Sequence, residues 1–133
     1  MKILVIDDWS SAAAGVRRLY PMDKVDHMFR IPEDLSVLGN YDVLIVDNAG
    51  IGNSTYKNGE SFLKDYEPKS EDQAVIFHSG LGPDSEFERI LDNKNFYSFT
   101  KGQDPDKLRN LINEIIPLSK RNPYELHLNE INA

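Results

Sequence analysis

The 133 residues carry 40% hydrophobic and 28% charged side chains, a balance that builds one core of ordinary size, leaves little chain for a separate output domain and excludes a disordered polymer. Lys and Arg number 15 against 22 Asp and Glu, and the net charge of -7 repels phosphate backbones and anionic lipid, which argues against nucleic acid and membranes as partners. Cysteine is absent, which excludes disulfides and thiol chemistry, and Asp7-Asp8 interrupts the first apolar run, so neither a signal peptide nor a membrane span is expected and a cytoplasmic location follows.

Residues 3–6 are consecutive β-formers, which predicts a short strand buried on both faces and ended by Asp7-Asp8. A helix over residues 12–20 follows, with Ser10 or Ser11 as its cap, Gly15 weakening it and Pro21 stopping it. A second strand is read over 25–29, then a short helix over 32–38 with proline in its first turn and Gly39 beyond its end. Residues 43–46 repeat the buried-strand pattern and run into Asp47, after which Gly50, Gly52, Asn53 and Ser54 mark a loop. The alternation continues with a helix over 59–66, a strand over 74–78 that ends at Ser79, a turn over 80–83 and a helix over 86–91. A fifth strand over 96–99 stops before Lys101, and Asp104-Pro105 opens a helix through Ile116 whose Leu108, Leu111, Ile112 and Ile115 form one apolar stripe.

Strands alternating five times with helices define an α/β fold with a parallel sheet covered on both faces. The expected architecture is a flavodoxin-like, doubly wound, five-stranded sheet of order 2-1-3-4-5, in which ligands sit at the carboxyl ends of the first and third strands. Asp7, Asp8 and Asp47 would meet in that crevice, with Ser79 and Lys101 flanking it from the neighbouring strands.

Taken singly, these residues read as helix caps, Asx-turns or a solvated lysine. Taken together they are chemically coherent: three carboxylates, a hydroxyl and an ammonium, each just past a strand. Converging carboxylates repel unless a cation enters, and Mg2+, a hard ion that takes one or two carboxylates plus phosphate oxygens, is the natural guest. Zinc is disfavoured without Cys or clustered His. A carboxylate beside such an ion can act as a nucleophile toward phosphorus, and Asp47 holds the central position, with Lys101 and Ser79 placed to meet the spreading phosphoryl charge.

Over roughly its first 116 residues the chain resembles a response-regulator receiver domain of two-component signalling, of the chemotaxis-regulator type. The segments that carry the likeness are MKILVIDD, YDVLIVD, NGESFLK, AVIFHSG and TKGQDPDKL, in that order. The resemblance implies a receiver domain over residues 1–117 and an extension or tail over 118–133. It implies that Asp8 ligates the metal directly, that Asp7 supports it through water, and that Asp47 is both phosphoacceptor and ligand. The Ala49 carbonyl becomes a further ligand, Ser79 the switching hydroxyl, Lys101 a phosphoryl contact, and the Gly80 N–H a donor to a phosphoryl oxygen. The partners implied are a histidine kinase or histidine phosphotransfer protein and a downstream protein. Such a chain is a signalling module and no turnover enzyme beyond self-phosphorylation and autodephosphorylation.

Several positions depart from the family pattern. Gly102 follows Lys101 where proline is usual, which leaves the lysine less rigidly held, and Ser98 replaces the switching aromatic. The loop after Asp47 is longer than usual, to be read either as surface variation or as a partner contact. Trp9 is expected at the rim of the site, His78 as a packed or hydrogen-bonded side chain outside it, and Ala12, Ala13 and Ala14 either as helix formers or as a donor-docking surface. Two rival readings stand beside the leading one: a receiver-fold interaction module that works without phosphorylation, and a magnesium-dependent phosphatase, which Trp9 disfavours by standing where a second aspartate would be needed.

Overall fold

The computed structural model describes residues 1–116 and 120. Five parallel strands, β1 (Lys2–Ile6), β2 (Lys24–Met28), β3 (Val43–Val46), β4 (Ala74–Phe77) and β5 (Tyr97–Ser98), form one sheet of order β2-β1-β3-β4-β5. Three helices, α1 (Ser10–Leu19), α2 (Gly59–Asp65) and α3 (Ser85–Asn93), and a 3-10 turn over Leu35–Asn40 between β2 and β3 connect them, and α4 (Pro105–Ile115) follows β5. This is the expected doubly wound α/β architecture.

The apolar runs of β1, β3 and β4 are continuous because alternate side chains enter two different cores. Leu4, Ile6, Leu44, Val46, Val75 and Phe77 face α2 and α3, where Phe62, Leu63, Phe87 and Leu91 are buried. Ile3, Val5, Val43, Ile45 and Ile76 face α1 and α4, where Ala13, Val16, Leu108 and Ile112 are buried. The register pairs Ile6 with Val46 and Val46 with Phe77, so the three central strands finish level and their next residues emerge at one edge.

The short segments differ most from expectation. No serine caps α1: Trp9 occupies the cap position, and its indole, a donor only, cannot bond the helix N–H groups; its backbone N–H is held by Asp7 Oδ1 at 2.9 Å and the helix begins directly at Ser10. The expected helix over 32–38 is instead the 3-10 turn, capped by Asp34 accepting from the Ser36 N–H at 3.0 Å, and Gly39 lies inside it. β5 is two residues long and exposed, as an edge strand allows, while the flanking Phe96 is buried. The extension over 118–133 lies outside the described residues apart from Lys120, whose ammonium donates to Asp42 Oδ1 at 3.1 Å.

The long β3–α2 loop is anchored to the core. Ile51 is fully buried, its carbonyl accepts the Ile31 N–H at 2.8 Å, and the Asn53 side chain donates to the Pro32 carbonyl at 3.1 Å. Neither surface variation nor an exposed partner contact describes this residue. Replacing it, Ile51→Ala, should lower unfolding free energy by about 2–4 kcal/mol in a urea titration, since a cavity would open under the loop; a loss under about 0.5 kcal/mol would mean the loop peels away freely.

Candidate functional site

Asp7, immediately after β1, is 1% exposed. Its carboxylate is held at both oxygens: Oδ1 accepts the Trp9 N–H at 2.9 Å and Oδ2 accepts the Lys101 ammonium at 2.7 Å. The Asp7 carbonyl accepts from His27 Nε2 at 2.7 Å, which assigns the proton to that nitrogen, because a carbonyl can only accept. On the neighbouring strand, Asp47 receives its own backbone support from the Ile6 carbonyl at 2.9 Å, and its Oδ1 accepts the Asn48 N–H at 2.8 Å. Its Oδ2 faces Lys101 Nζ at 3.2 Å.

Lys101 therefore bridges two carboxylates whose backbone positions are 40 residues apart by number, 7 and 47. Its backbone is fixed as well, because its N–H donates to the Ser79 carbonyl at 2.8 Å. Gly102 follows with φ of +86°, a conformation that glycine adopts readily and that turns the chain away just after the lysine. Ser79 is 8% exposed at the end of β4, and Gly80 is exposed directly after it.

Electrostatics follow from this geometry. Burial raises the proton affinity of Asp47, the Asn48 hydrogen bond opposes it, the Asp7 charge adds to it and Lys101 offsets part of it. Burial disfavours the Lys101 ammonium, but the hydrogen bond and charge of Asp7, joined by Asp47, outweigh that and raise its pKa. His78 is pushed down to about 4 by burial and by the nearby Lys101 cation, and its ring lies 5.8 Å from that of Phe99. It is a packed neutral side chain, as its place in the sequence predicted.

Each of Asp7, Asp8 and Asp47 offers a carboxylate oxygen, and these oxygens lie within 4.8 Å of one another. Oxygen-only donors at this spacing fit a hard divalent cation better than zinc. Asp8 is exposed and open to solvent, so it can turn toward an ion without breaking an internal bond. Ala49 is exposed two residues after Asp47. The structure thus brings Asp7, Asp8, Asp47 and Lys101 into one cluster, sets Ser79 beside it through the Lys101 backbone, and leaves Ala49 and Gly80 at its rim by chain proximity. Trp9 is 70% exposed at the same rim.

Three supporting residues escaped the sequence reading. Gly50, seen only as a loop marker, has φ +83°, and a Cβ there would stand 2.2 Å from Asp8 Oδ2. Gly59 presses against the Asp47 backbone, where a Cβ would lie 1.8 Å from the Asp47 carbonyl oxygen. Asn48 joins β3 to α2: its carbonyl accepts the Gly59 N–H at 2.9 Å and its side chain accepts the Glu60 N–H at 3.0 Å. The only signal for the last was an Asn directly after the acidic residue, a type that readily bonds a nearby backbone N–H.

No family model matches the sequence, and neither does any curated protein. Solved structures do match. A CheY-like response regulator receiver domain protein from Methanospirillum hungatei superposes with a TM-score of 0.67 at 17% identity, covering 85% of this chain and 90% of that one. The receiver domain of the Francisella response regulator 1452 gives 0.66 at 24% identity over 86% and 94% of the two chains. The N-terminal receiver domain of Klebsiella pneumoniae RstA, in a BeF3-activated form, gives 0.68 at 15% identity over 86% and 97%. The chain has the receiver-domain fold.

Proposed function

We propose that the chain is a phosphoacceptor of two-component signalling, its receiver domain spanning residues 1–117, which takes a phosphoryl group from a phosphohistidine onto Asp47. The observation that supports this best is the meeting of Asp7, Asp8, Asp47 and Lys101 at the level carboxyl edge of the sheet. Asp7, Asp8, Asp47 and the Ala49 carbonyl would hold Mg2+, which when bound neutralises charge on the transferred group. The Asp47 carboxylate attacks phosphorus, the bond to the donor imidazole breaks, and its electron pair stays on that nitrogen. Lys101, 3.2 Å from Asp47 Oδ2, is within reach of a phosphoryl group built there. The Ser79 hydroxyl and Gly80 N–H supply the remaining contacts, and water later releases phosphate.

This reading gives the chain a histidine kinase or histidine phosphotransfer protein as donor, altered protein binding as output and the cytoplasm as its place of action. It is a signalling module and performs no turnover on a separate substrate. Among the described residues, no helix is long and apolar enough to cross a membrane. The test is incubation with acetyl phosphate and Mg2+ followed by intact-protein mass measurement, with one added phosphoryl group as the expected result and an unchanged mass as the contrary one. BeF3 titration read through Trp9 emission gives an independent answer, because that indole stands beside the acidic pair.

Asp8→Ala should weaken Mg2+ binding by at least about 10-fold in the same fluorescence titration. Removing groups that merely orient metal ligands already costs about 10–100-fold, and a direct ligand should cost no less. Unchanged affinity would remove Asp8 from the metal site.

A second reading, an interaction module that works without phosphate, draws on one observation: the Lys101 ammonium contacts both Asp7 and Asp47 and so offsets part of their charge without a metal. It predicts silence in both the mass and the BeF3 experiments.

A further inference from the structure

A cavity of about 330 Å³ lies between α1 and α4, opening beside Lys101. The two helices meet at Tyr20, whose hydroxyl lies 3.0 Å from Asn113 Oδ1. Nearer the carboxyl edge of the sheet, small residues leave them apart. Ala12 and Gly15 form one wall, Phe99 and Leu108 the other, and Val16 and Leu19 also line the space. A Cβ built on Gly15 meets no atom within 4 Å, so the space there is open.

The charged groups at this cavity are of one sign, beside the uncharged polar residues Ser11, His78 and Gln103. Arg18 and Lys101 line it and no carboxylate does, although the chain carries a net charge of -7. Lys101 is occupied by Asp7 and Asp47, whereas the Arg18 guanidinium makes no hydrogen bond or ion pair among the described residues. Its neighbour Arg17 behaves differently and donates to the Val25 carbonyl at 3.0 Å. Trp9, 70% exposed, and His78 add flat π faces at the mouth. An apolar slot of this size with one free guanidinium and aromatic rims has the make-up of a small-ligand site, and a guanidinium pairs best with a planar anion.

We propose that this cleft binds a small aromatic anion, its ring between the Gly15 and Phe99 walls and its carboxylate or sulfonate on Arg18. The cleft adjoins the phosphoacceptor cluster through Lys101, but the contacts proposed here, Gly15, Arg18 and Phe99, lie outside that cluster and do not depend on that reading.

The experiment titrates the full chain, labelled with nitrogen-15, with 2-naphthoate and separately with its neutral isostere 2-naphthamide, following amide shifts. Saturable shifts grouped at Gly15, Arg18 and Leu108 are expected for naphthoate, with naphthamide about tenfold weaker because it cannot form the charged pair. Arg18→Ala should bring naphthoate down to the naphthamide level. Gly15→Leu should weaken both ligands about tenfold or more by filling the slot, and its melting temperature should not fall, since its Cβ meets nothing, the cleft has room for the rest of the side chain and leucine favours the helix over glycine. Shifts that fail to saturate, equal binding of the two ligands, or undiminished binding to Gly15→Leu would each overturn the proposal. A cleft reserved for the side chain of a docking protein would give the first of these results.

Discussion

Asp47→Asn should abolish phosphorylation by acetyl phosphate while leaving the fold intact, seen as an unchanged intact mass in a protein with an unchanged far-ultraviolet circular dichroism spectrum. The amide keeps the shape of the carboxylate and the Oδ1 that accepts the Asn48 N–H at 2.8 Å, but it has no charged oxygen to attack phosphorus. Lys101 loses one partner and retains the closer one, Asp7 at 2.7 Å. Stability should not suffer, and the pH dependence tells why. Burial, with the Asp7 charge behind it, raises the pKa of folded Asp47 above the ordinary aspartate value. A group raised on folding favours the folded state below its unfolded pKa, and that contribution is lost as pH rises through the folded value. At neutral pH, in metal-free buffer, the ionised carboxylate therefore opposes folding. The variant should melt at or above the wild-type temperature at pH 7, and the difference should shrink as pH falls into the ordinary carboxylate range. Labelling that persists in Asp47→Asn would move the acceptor elsewhere, and a large drop in melting temperature would mean that the carboxylate is a structural keystone.

The elements legible in the sequence were those whose local pattern and tertiary fate agree. The runs ending at Asp7 and Asp47 are strands because four consecutive β-formers can be buried only between two covered faces, and the level register of β1, β3 and β4 then brings the following residues together. Asp104 and Pro105 announced α4 correctly, since cap and first turn are set by neighbouring residues alone. Positions decided by distant atoms were not legible. The serine cap of α1 lost to Asp7, which holds the Trp9 N–H. A 3-10 turn stands where a helix was expected, and it starts at Leu35 rather than Pro32 because Asp34 caps it through the backbone N–H and hydroxyl of Ser36. Ile51 looked like part of a polar loop, and only the chain crossing at Ile31 shows why it is buried. The same limit applied in the site. The acid, hydroxyl and lysine positions are marked by their place after strands, but the glycines that let the backbone approach them carry no chemistry of their own to notice.

Gly59 shows what such a residue does. It is the first residue of α2, and its N–H bonds the Asn48 carbonyl at 2.9 Å, while the side chain of Asn48 reaches the next N–H. The helix start is thereby pressed onto the backbone of the acceptor strand. A methyl group at Gly59 would stand 1.8 Å from the Asp47 carbonyl oxygen and 2.9 Å from its carbon, both backbone atoms that cannot rotate aside. Gly59→Ala should therefore lower stability by about 3 kcal/mol, the upper part of the range for overpacking, and the melting temperature by roughly 10 °C. Because the strand must yield, Asp47 moves with it, and a misplacement of about 1 Å at a reacting group can slow a reaction on the order of 100-fold. Phosphorylation by acetyl phosphate should slow by a comparable factor at a temperature where the variant is still folded. Gly15→Ala is the matched control, since its Cβ meets nothing within 4 Å and the substitution favours the helix. If both variants labelled at the wild-type rate, the junction between Asn48 and α2 would not be what holds the acceptor in place.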